Sequence, residues 1–108
     1  GGIFVNIFTT EKGVRMSLRI QEDFLQFDDY QHDDTTYNEA TFFEAEGSEK
    51  FDKSSAKQMV MMMNRVAYDL RLDEYSMKKL EIVLREELPF FAVNRRLVLN
   101  WVNENFLF

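Results

Sequence analysis

The sequence contains no cysteine and only one histidine, His32, among its 108 residues. Without cysteine the chain can form no disulfide, no thiolate nucleophile, no iron–sulfur cluster and no cysteine-ligated zinc site. A catalytic system that needs an imidazole would have to use His32, which lies in a charged stretch with no defined nucleophile beside it. The lack of cysteine suits a reducing compartment and no secretory signal is recognisable, so we expect a cytoplasmic protein.

Long hydrophobic runs and glycine-rich motifs are also missing. No window approaches the roughly 20 consecutive apolar residues of a membrane-spanning helix. Gly13 and Gly47 are isolated, and no segment matches a phosphate-binding loop or a dinucleotide fingerprint. We therefore expect a protein that is not an enzyme, has no cofactor and no metal, and does not enter a membrane.

The apolar content is sufficient for one hydrophobic core. Hydrophobic residues make up 45% of the chain and include eleven Phe and six Met. A chain of this length forms one domain and buries roughly 60–70% of the surface that it exposes when unfolded. We predict a single domain over residues 1–108, with a β-rich acidic part at 3–46 and a helical part at 54–106.

The first half of the chain favours strands. Residues 3–8 are rich in β-branched and aromatic side chains and residues 14–20 alternate apolar with polar, so we predict a hairpin with its turn at 9–13. Residues 24–27 and 36–46 are less regular and are assigned as a third and a fourth strand. The Glu and Ala residues of the 36–46 segment leave a short helix open as an alternative.

The second half has the periodicity of amphipathic helices. A central helix is predicted at 54–71, because its apolar residues recur every three or four positions behind a serine N-cap. A second helix is predicted at 75–88, capped by Asp73 and ended by Pro89, and a third begins after Asn94.

The order of these elements predicts the fold class. It is α+β, with an N-terminal antiparallel β-meander of three to four strands packed against three C-terminal helices. We expect the apolar link at 90–93 to be buried, and Leu97 to lie on the buried side of the last helix. The terminal Phe106-Leu107-Phe108 either folds back on Trp101 or anchors a partner, and the sequence does not separate these.

Charge is distributed unevenly along the chain. The net charge is −6, yet residues 1–52 carry twelve acidic and four basic side chains, whereas residues 53–108 carry seven and nine. Between residues 22 and 52, eleven carboxylates accompany a single lysine. Such asymmetry bears on partners and association rates rather than on fold. It fits either a solvated acidic face or a docking surface for a basic partner.

The functional interpretation that we consider first is a small acidic protein–protein interaction module. In its most specific form it is an inhibitor that mimics nucleic acid and occupies the basic site of a nucleic-acid-binding protein, by analogy with small acidic phage proteins. The predicted partner-binding residues are seven acids, with two tyrosines as amphipathic anchors. They are Asp28, Asp29, Asp33, Asp34, Glu39, Glu44, Glu46, Tyr30 and Tyr37.

A DNA-binding or transcription-regulator domain that uses the last helix is the alternative. Arg and Asn are the side chains best suited to guanine and adenine edges in the major groove. The last helix carries such side chains near its start and on its polar face, and the predicted DNA-contacting residues are Arg95, Arg96, Asn100 and Asn103. Direct contact with nucleic acid is nevertheless not expected, because a chain of net charge −6 lacks the basic footprint of a duplex binder.

A metal-dependent enzyme built on the aspartates near His32 is a weaker alternative. Asp28, Asp29, Asp33 and Asp34 offer hard oxygen ligands, and His32 adds an imidazole. Their spacing does not match a calcium loop, which needs ligands at alternate positions, a central glycine and a distal glutamate.

Overall fold

The computed structural model describes residues 3–10 and 13–106, with side chains from Leu18 to Phe106. The strands are β1 (Ile3–Thr10) and β2 (Gly13–Ile20), followed by a 3₁₀ turn at Glu22–Phe24. Four helices follow in this part of the chain: α1 (Glu39–Phe42), α2 (Ala56–Leu70), α3 (Glu74–Glu86) and α4 (Arg95–Asn105). The described residues therefore form a mostly helical globule.

The predicted α+β class is wrong, because the β-meander of three or four strands does not form. Strand β1 pairs antiparallel with β2, with Ile3 opposite Ile20, and no third strand joins this ribbon among the described residues. Of the predicted turn at 9–13, Thr9, Thr10 and Gly13 belong to the strands, and residues 11 and 12 lie outside the described part of the chain. Leu107 and Phe108 also lie outside it, whereas Phe106 is buried.

Neither irregular segment forms a strand. Residues 36–46 contain α1, whereas of residues 24–27 only Phe24 belongs to the 3₁₀ turn. The N–H of Leu25 donates to the carbonyl of Glu22 and closes the 3₁₀ turn. Asn38 caps α1, since its Oδ1 accepts the N–H of Ala40 at 2.8 Å. An Asn cap followed by Glu and Ala favours a helix over an extended strand, so the alternative left open for 36–46 is the one that forms.

Helix α2 lies at the centre of the core, as predicted. It begins after Ser55, whose Oγ accepts the N–H of Gln58 at 3.2 Å, and ends at Arg71 in the left-handed conformation (φ 55°). It contacts β2, α3 and α4, which is why its buried side chains extend around much of its circumference. The fully buried methionines of α2 are Met59, Met62 and Met63.

Helices α3 and α4 also begin at the predicted caps. Oδ1 of Asp73 accepts the N–H of Ser76 at 2.8 Å, and Oδ1 of Asn94 accepts the N–H of Leu97 at the same distance. Their fully buried apolar side chains are Met77, Leu80, Leu84, Val98 and Val102. None of the helices in the described part of the chain is long and apolar enough to cross a bilayer.

Two predictions of burial are wrong. Phe90 is 93% exposed, and Leu97 is 41% exposed on the first turn of α4. The link between α3 and α4 is short, and its backbone directs Ala92 inward while Phe90 and Phe91 project into solvent. Hydrophobicity alone predicted burial here, but of the three side chains at 90–92 only Ala92 is buried.

A buried asparagine attaches the ribbon to the helices. Oδ1 of Asn64 on α2 accepts the N–H of Ile20 at 2.8 Å, and its Nδ2 donates to the carbonyl of Ile20 at 3.2 Å. Both partners are buried, so loss of this amide would leave two backbone groups unsatisfied away from water.

We expect Asn64→Ala to lower the free energy of unfolding by about 2–3 kcal/mol, because an unsatisfied buried polar group costs about 1–3 kcal/mol. Urea unfolding followed by circular dichroism measures this loss. Asn100→Ala, on the exposed face of α4, is the matched control and should change stability little. Equal losses in both variants would contradict the role given to Asn64.

Candidate functional site

The segment that contains the four clustered aspartates runs from the 3₁₀ turn to α1, and we call residues 26–38 the aspartate loop. It has no regular secondary structure, yet side chains and backbone of α2 and α3 hold it at three places. These attachments determine which of its charges are available to a partner.

The first attachment is a buried carboxylate on α3. Glu81 is fully buried, and its Oε1 accepts the backbone N–H of Gln26 at 2.9 Å. Its Oε2 accepts the hydroxyl of Tyr30 at 2.6 Å, and the Gln26 side-chain amide donates to Oε1 at 3.1 Å. Burial, reinforced by the hydrogen bond to Glu81, raises the pKa of Tyr30 well above its ordinary value. The phenol therefore keeps its proton and donates a hydrogen bond to the Glu81 side chain.

Sequence reasoning missed Glu81, although the pattern contains a signal for it. Glu81 lies four residues after Met77 and three before Leu84, so it falls on the apolar face of α3. A carboxylate at such a position must be hydrogen-bonded, because burial of an unpaired charge is very costly. The sequence does not show that its partners would be Gln26 and Tyr30.

The second attachment is an arginine one turn further along α3. Nη1 and Nη2 of Arg85 donate to the two carboxylate oxygens of Asp29 at 2.9 and 2.8 Å. The guanidinium also lies over the rings of Phe27 and Tyr30, 4.1 and 4.9 Å from their centroids. The hydrogen bonds from Arg85 hold the pKa of Asp29 below its usual value. Asp29 is thus neutralised within the protein.

The third attachment joins the loop to the start of α2. The N–H of Gln31 donates to the carbonyl of Ser54 at 2.8 Å, and the carbonyl of Gln31 accepts the N–H of Ala56 at 2.9 Å. Next to it, Nδ1 of His32 lies 2.7 Å from Oε1 of Glu22. The same carboxylate accepts a hydrogen bond from Lys57 Nζ at 3.0 Å.

The Glu22 carboxylate remains ionised despite its partial burial. Burial raises the pKa of Glu22, but hydrogen bonds from His32 and Lys57 outweigh this effect and lower the pKa below its usual value. In return, the hydrogen bond to Glu22 raises the pKa of Lys57. His32 therefore belongs to the hydrogen-bond network around Glu22, and no serine or threonine hydroxyl is among its hydrogen-bond partners in the described residues.

Three aspartates of the loop carry charge that no described residue neutralises by an ion pair. Asp28, Asp33 and Asp34 are exposed and form no salt bridge with a described residue. Oδ1 of Asp33 accepts the N–H of Thr35 at 2.9 Å, and this bond lowers the pKa of Asp33 while fixing its orientation. These three carboxylates form the outer surface of the aspartate loop.

The other predicted acids lie against different elements. Glu39 pairs with Arg19 of β2, and Glu46 accepts a hydrogen bond from Arg95 of α4 at 3.3 Å. Glu44 is exposed and forms no ion pair with a described residue, although its carbonyl accepts a hydrogen bond from Arg96. Glu39 and Glu46, like Asp29, are therefore engaged by arginines of the chain itself.

The two tyrosines predicted as partner anchors connect the loop to the core. Tyr30 is buried and donates to Glu81. The hydroxyl of Tyr37, which is half-buried, accepts a hydrogen bond from Gln58 at 3.2 Å, and its ring meets Phe42 edge-on at 5.4 Å. Their interactions in this structure are therefore internal.

The four residues considered for DNA contact are mostly engaged inside the protein. Arg95 is buried, with its guanidinium 3.9 Å from the centroid of Phe42, and Nδ2 of Asn103 donates to Asp69 at 2.8 Å. Arg96 is exposed but donates to the carbonyl of Glu44. Asn100 is exposed. The arrangement therefore offers little of the base-reading face that the alternative requires.

The aspartates near His32 do not form a metal site in the described part of the chain. No group of three or more His, Asp or Glu side chains among the described residues is placed to hold a metal ion. The aspartates near His32, which were considered as oxygen ligands, point instead to separate partners or to solvent: Asp29 meets Arg85, and Asp33 meets the N–H of Thr35.

An open cleft of about 600 Å³ lies between β2, the aspartate loop and α2. Arg19 pairs there with Glu39 and Lys57 pairs with Glu22, so these four charged groups are engaged with one another. Asp23 is the remaining charged residue of the lining, and it forms no ion pair with a described residue.

Comparisons with protein-family models, curated proteins and solved structures find no match to this chain.

We expect Glu81→Ala to destabilise the protein by about 3 kcal/mol, because it leaves the Gln26 N–H and the Tyr30 hydroxyl without their acceptor. Hydrogen exchange at the Gln26 amide should also accelerate, since the loop loses its attachment to α3. Glu86→Ala, at an exposed glutamate on the same helix, is the control and should affect neither measurement. Unchanged exchange at Gln26 in Glu81→Ala would contradict this account.

The ion pair of Asp29 predicts a dependence of stability on pH. Because the pKa of Asp29 is lowered in the folded protein, its contribution is present above the ordinary aspartate pKa and is lost as the pH falls through the lowered value. The lowered pKa values of Glu22, Asp33 and Asp73 act in the same direction. A comparison between variants is therefore needed to isolate the contribution of Asp29.

We expect Asp29→Asn to lower the melting temperature at neutral pH. The fall in melting temperature between about pH 5 and pH 2 should also be shallower in this variant, because the variant has no carboxylate at this position to protonate. Melting curves across this range measure both effects. Asp28→Asn is the matched control, because Asp28 forms no ion pair with a described residue and its loss should leave the profile unchanged. Identical profiles for the two variants would show that the Arg85 pair contributes nothing.

Proposed function

We propose that this protein is a small protein–protein interaction module that binds a basic surface of its partner through Asp28, Asp33 and Asp34. The observation that supports the proposal is the combination of three exposed aspartates, without internal ion pairs to described residues, and a loop that is attached to the helices at three places. Asp29 is exposed as well, but its charge is paired with Arg85.

Attachment of the loop matters energetically. Ordering a loop on binding costs conformational entropy, and a loop already fixed by Glu81, Arg85 and the start of α2 has little of that cost left to meet. Exposed carboxylates contribute mainly to the association rate and to specificity, and their effect weakens as salt increases. The expected interaction is therefore fast and sensitive to salt.

The partner that fits best is a basic protein, such as a nucleic-acid-binding protein whose Arg and Lys contact phosphates. Carboxylates of the aspartate loop would take the place of a few phosphates in that site, and the chain would act there as an inhibitor. Three of the seven predicted acids pair with arginines of the chain itself, namely Asp29, Glu39 and Glu46. They therefore add little to an acidic surface that could imitate a longer stretch of nucleic acid. The proposal is therefore limited to a short acidic patch.

The test uses immobilised wild-type protein and a fraction of nucleic-acid-binding proteins purified on a duplex-DNA column. We expect retention of a basic protein that elutes with salt and is displaced by duplex DNA. The triple variant Asp28/Asp33/Asp34→Asn should weaken binding of that protein roughly tenfold, because each exposed charge contributes only modestly and three are removed together. Surface plasmon resonance on the purified partner measures the change.

A control variant separates the loop from overall charge. Glu49, Glu74 and Glu104 are exposed and form no ion pair with a described residue, so their replacement by Gln removes the same charge elsewhere. Equal weakening by both triple variants would mean that only net charge matters and would overturn the proposal. Retardation of duplex DNA by the protein alone at physiological salt would favour the α4 alternative instead.

A further inference from the structure

The link between α3 and α4 presents apolar side chains to solvent. Phe90 is 93% exposed, Val93 57% and Phe91 52%, and the two phenylalanine rings meet edge-on at 5.9 Å. We call Phe90, Phe91 and Val93 the phenylalanine face. Contiguous exposed apolar patches on small proteins commonly mark interaction sites.

The phenylalanine face is held by backbone hydrogen bonds. The N–H of Ala92 donates to the carbonyl of Pro89, and the N–H of Phe51 donates to the carbonyl of Val93, both at 3.0 Å. Lys50 and Asn94 form an antiparallel bridge beside them. The aromatic side chains therefore project from a fixed backbone, which lowers the entropic cost of binding.

A hollow lies directly beside the most exposed ring. Its volume is about 230 Å³, and Lys50 and Lys53 stand at its edge. The apolar lining residues are Phe51, Leu88, Pro89, Phe90, Ala92 and Val93. One face of the molecule thus carries both a projecting side chain and an apolar recess, which is the combination that a two-fold interface needs, since each copy supplies both parts.

Charges around the phenylalanine face have both signs. Lys50 and Lys53 lie on the edge of the hollow, whereas Glu86 and Glu87 precede Leu88 at the end of α3. Lys50, Glu86 and Glu87 form no ion pair with a described residue. With charges of both signs beside the phenylalanine face, a second copy can pair lysine with glutamate, whereas an anionic membrane could pair only with the lysines and would repel the glutamates.

We propose that the phenylalanine face is the interface of a homodimer, in which Phe90 of each copy enters the hollow of the other. Phe90 and Phe91 together offer roughly 300 Å² of apolar surface per copy. A stable interface buries about 800 Å² per partner, so the charged rim must contribute the remainder and the dimer is a weak one. Association should therefore depend on protein concentration.

Sedimentation velocity over a range from micromolar to millimolar protein tests the proposal. The wild-type protein should shift from monomer to dimer, and Phe90→Ser should raise the dissociation constant at least tenfold, about 1.4 kcal/mol or more. Tyr75→Ser is the matched control, because Tyr75 is an exposed aromatic on α3 outside the phenylalanine face and is 72% exposed. The Tyr75→Ser variant should dimerise with the same dissociation constant as the wild type, and circular dichroism should show that both variants are folded.

The charged rim provides a second measurement. Lys50→Glu should weaken the dimer, and combining it with Glu87→Lys should restore part of the affinity. A double variant that binds no better than Lys50→Glu would contradict charge pairing at the rim. A wild-type protein that stays monomeric at millimolar concentration overturns the proposal, as does a dimer that Phe90→Ser leaves intact. Binding to phosphatidylcholine vesicles by a monomeric wild type, lost in Phe90→Ser, would assign the face to a lipid surface instead.

Discussion

The position of the aspartate loop depends on the hydrogen bonds that the Glu81 side chain accepts from Gln26 and Tyr30. The Glu81 carboxylate is fully buried on α3, and these donors satisfy it. A buried carboxylate without such donors would be too costly to retain, and the aspartate loop without Glu81 would lack its main attachment to the helices. The charged loop and the hydrophobic core are therefore stabilised together.

Internal arginines divide the acidic residues into two groups. Asp29, Glu39 and Glu46 pair with arginines of α3, β2 and α4, and in doing so they fasten the acidic half to the rest of the chain. Asp28, Asp33 and Asp34 have no such partner among the described residues. A count of carboxylates along the sequence therefore overstates the charge that a partner would meet.

The sequence predicted the elements whose determinants are local. Ser55, Asp73 and Asn94 mark the starts of α2, α3 and α4, because a cap and the apolar repeat behind it lie within a few residues. It failed at residues 36–46, where β-forming side chains competed with the Asn38 cap. It could not reveal the Asp29–Arg85 pair, since those residues are 56 positions apart and only the packing of α3 brings them together.

The long separation along the chain between the aspartate loop and α3 also affects when the acidic surface forms during folding. Gln26 and Glu81 are 55 residues apart, and contacts between distant residues form only after the intervening chain has been organised. Before that stage the aspartates belong to an extended polyanionic segment with no defined shape. A partner that recognises their arrangement would bind the native state alone, and by mass action its capture would shift the folding equilibrium toward that state.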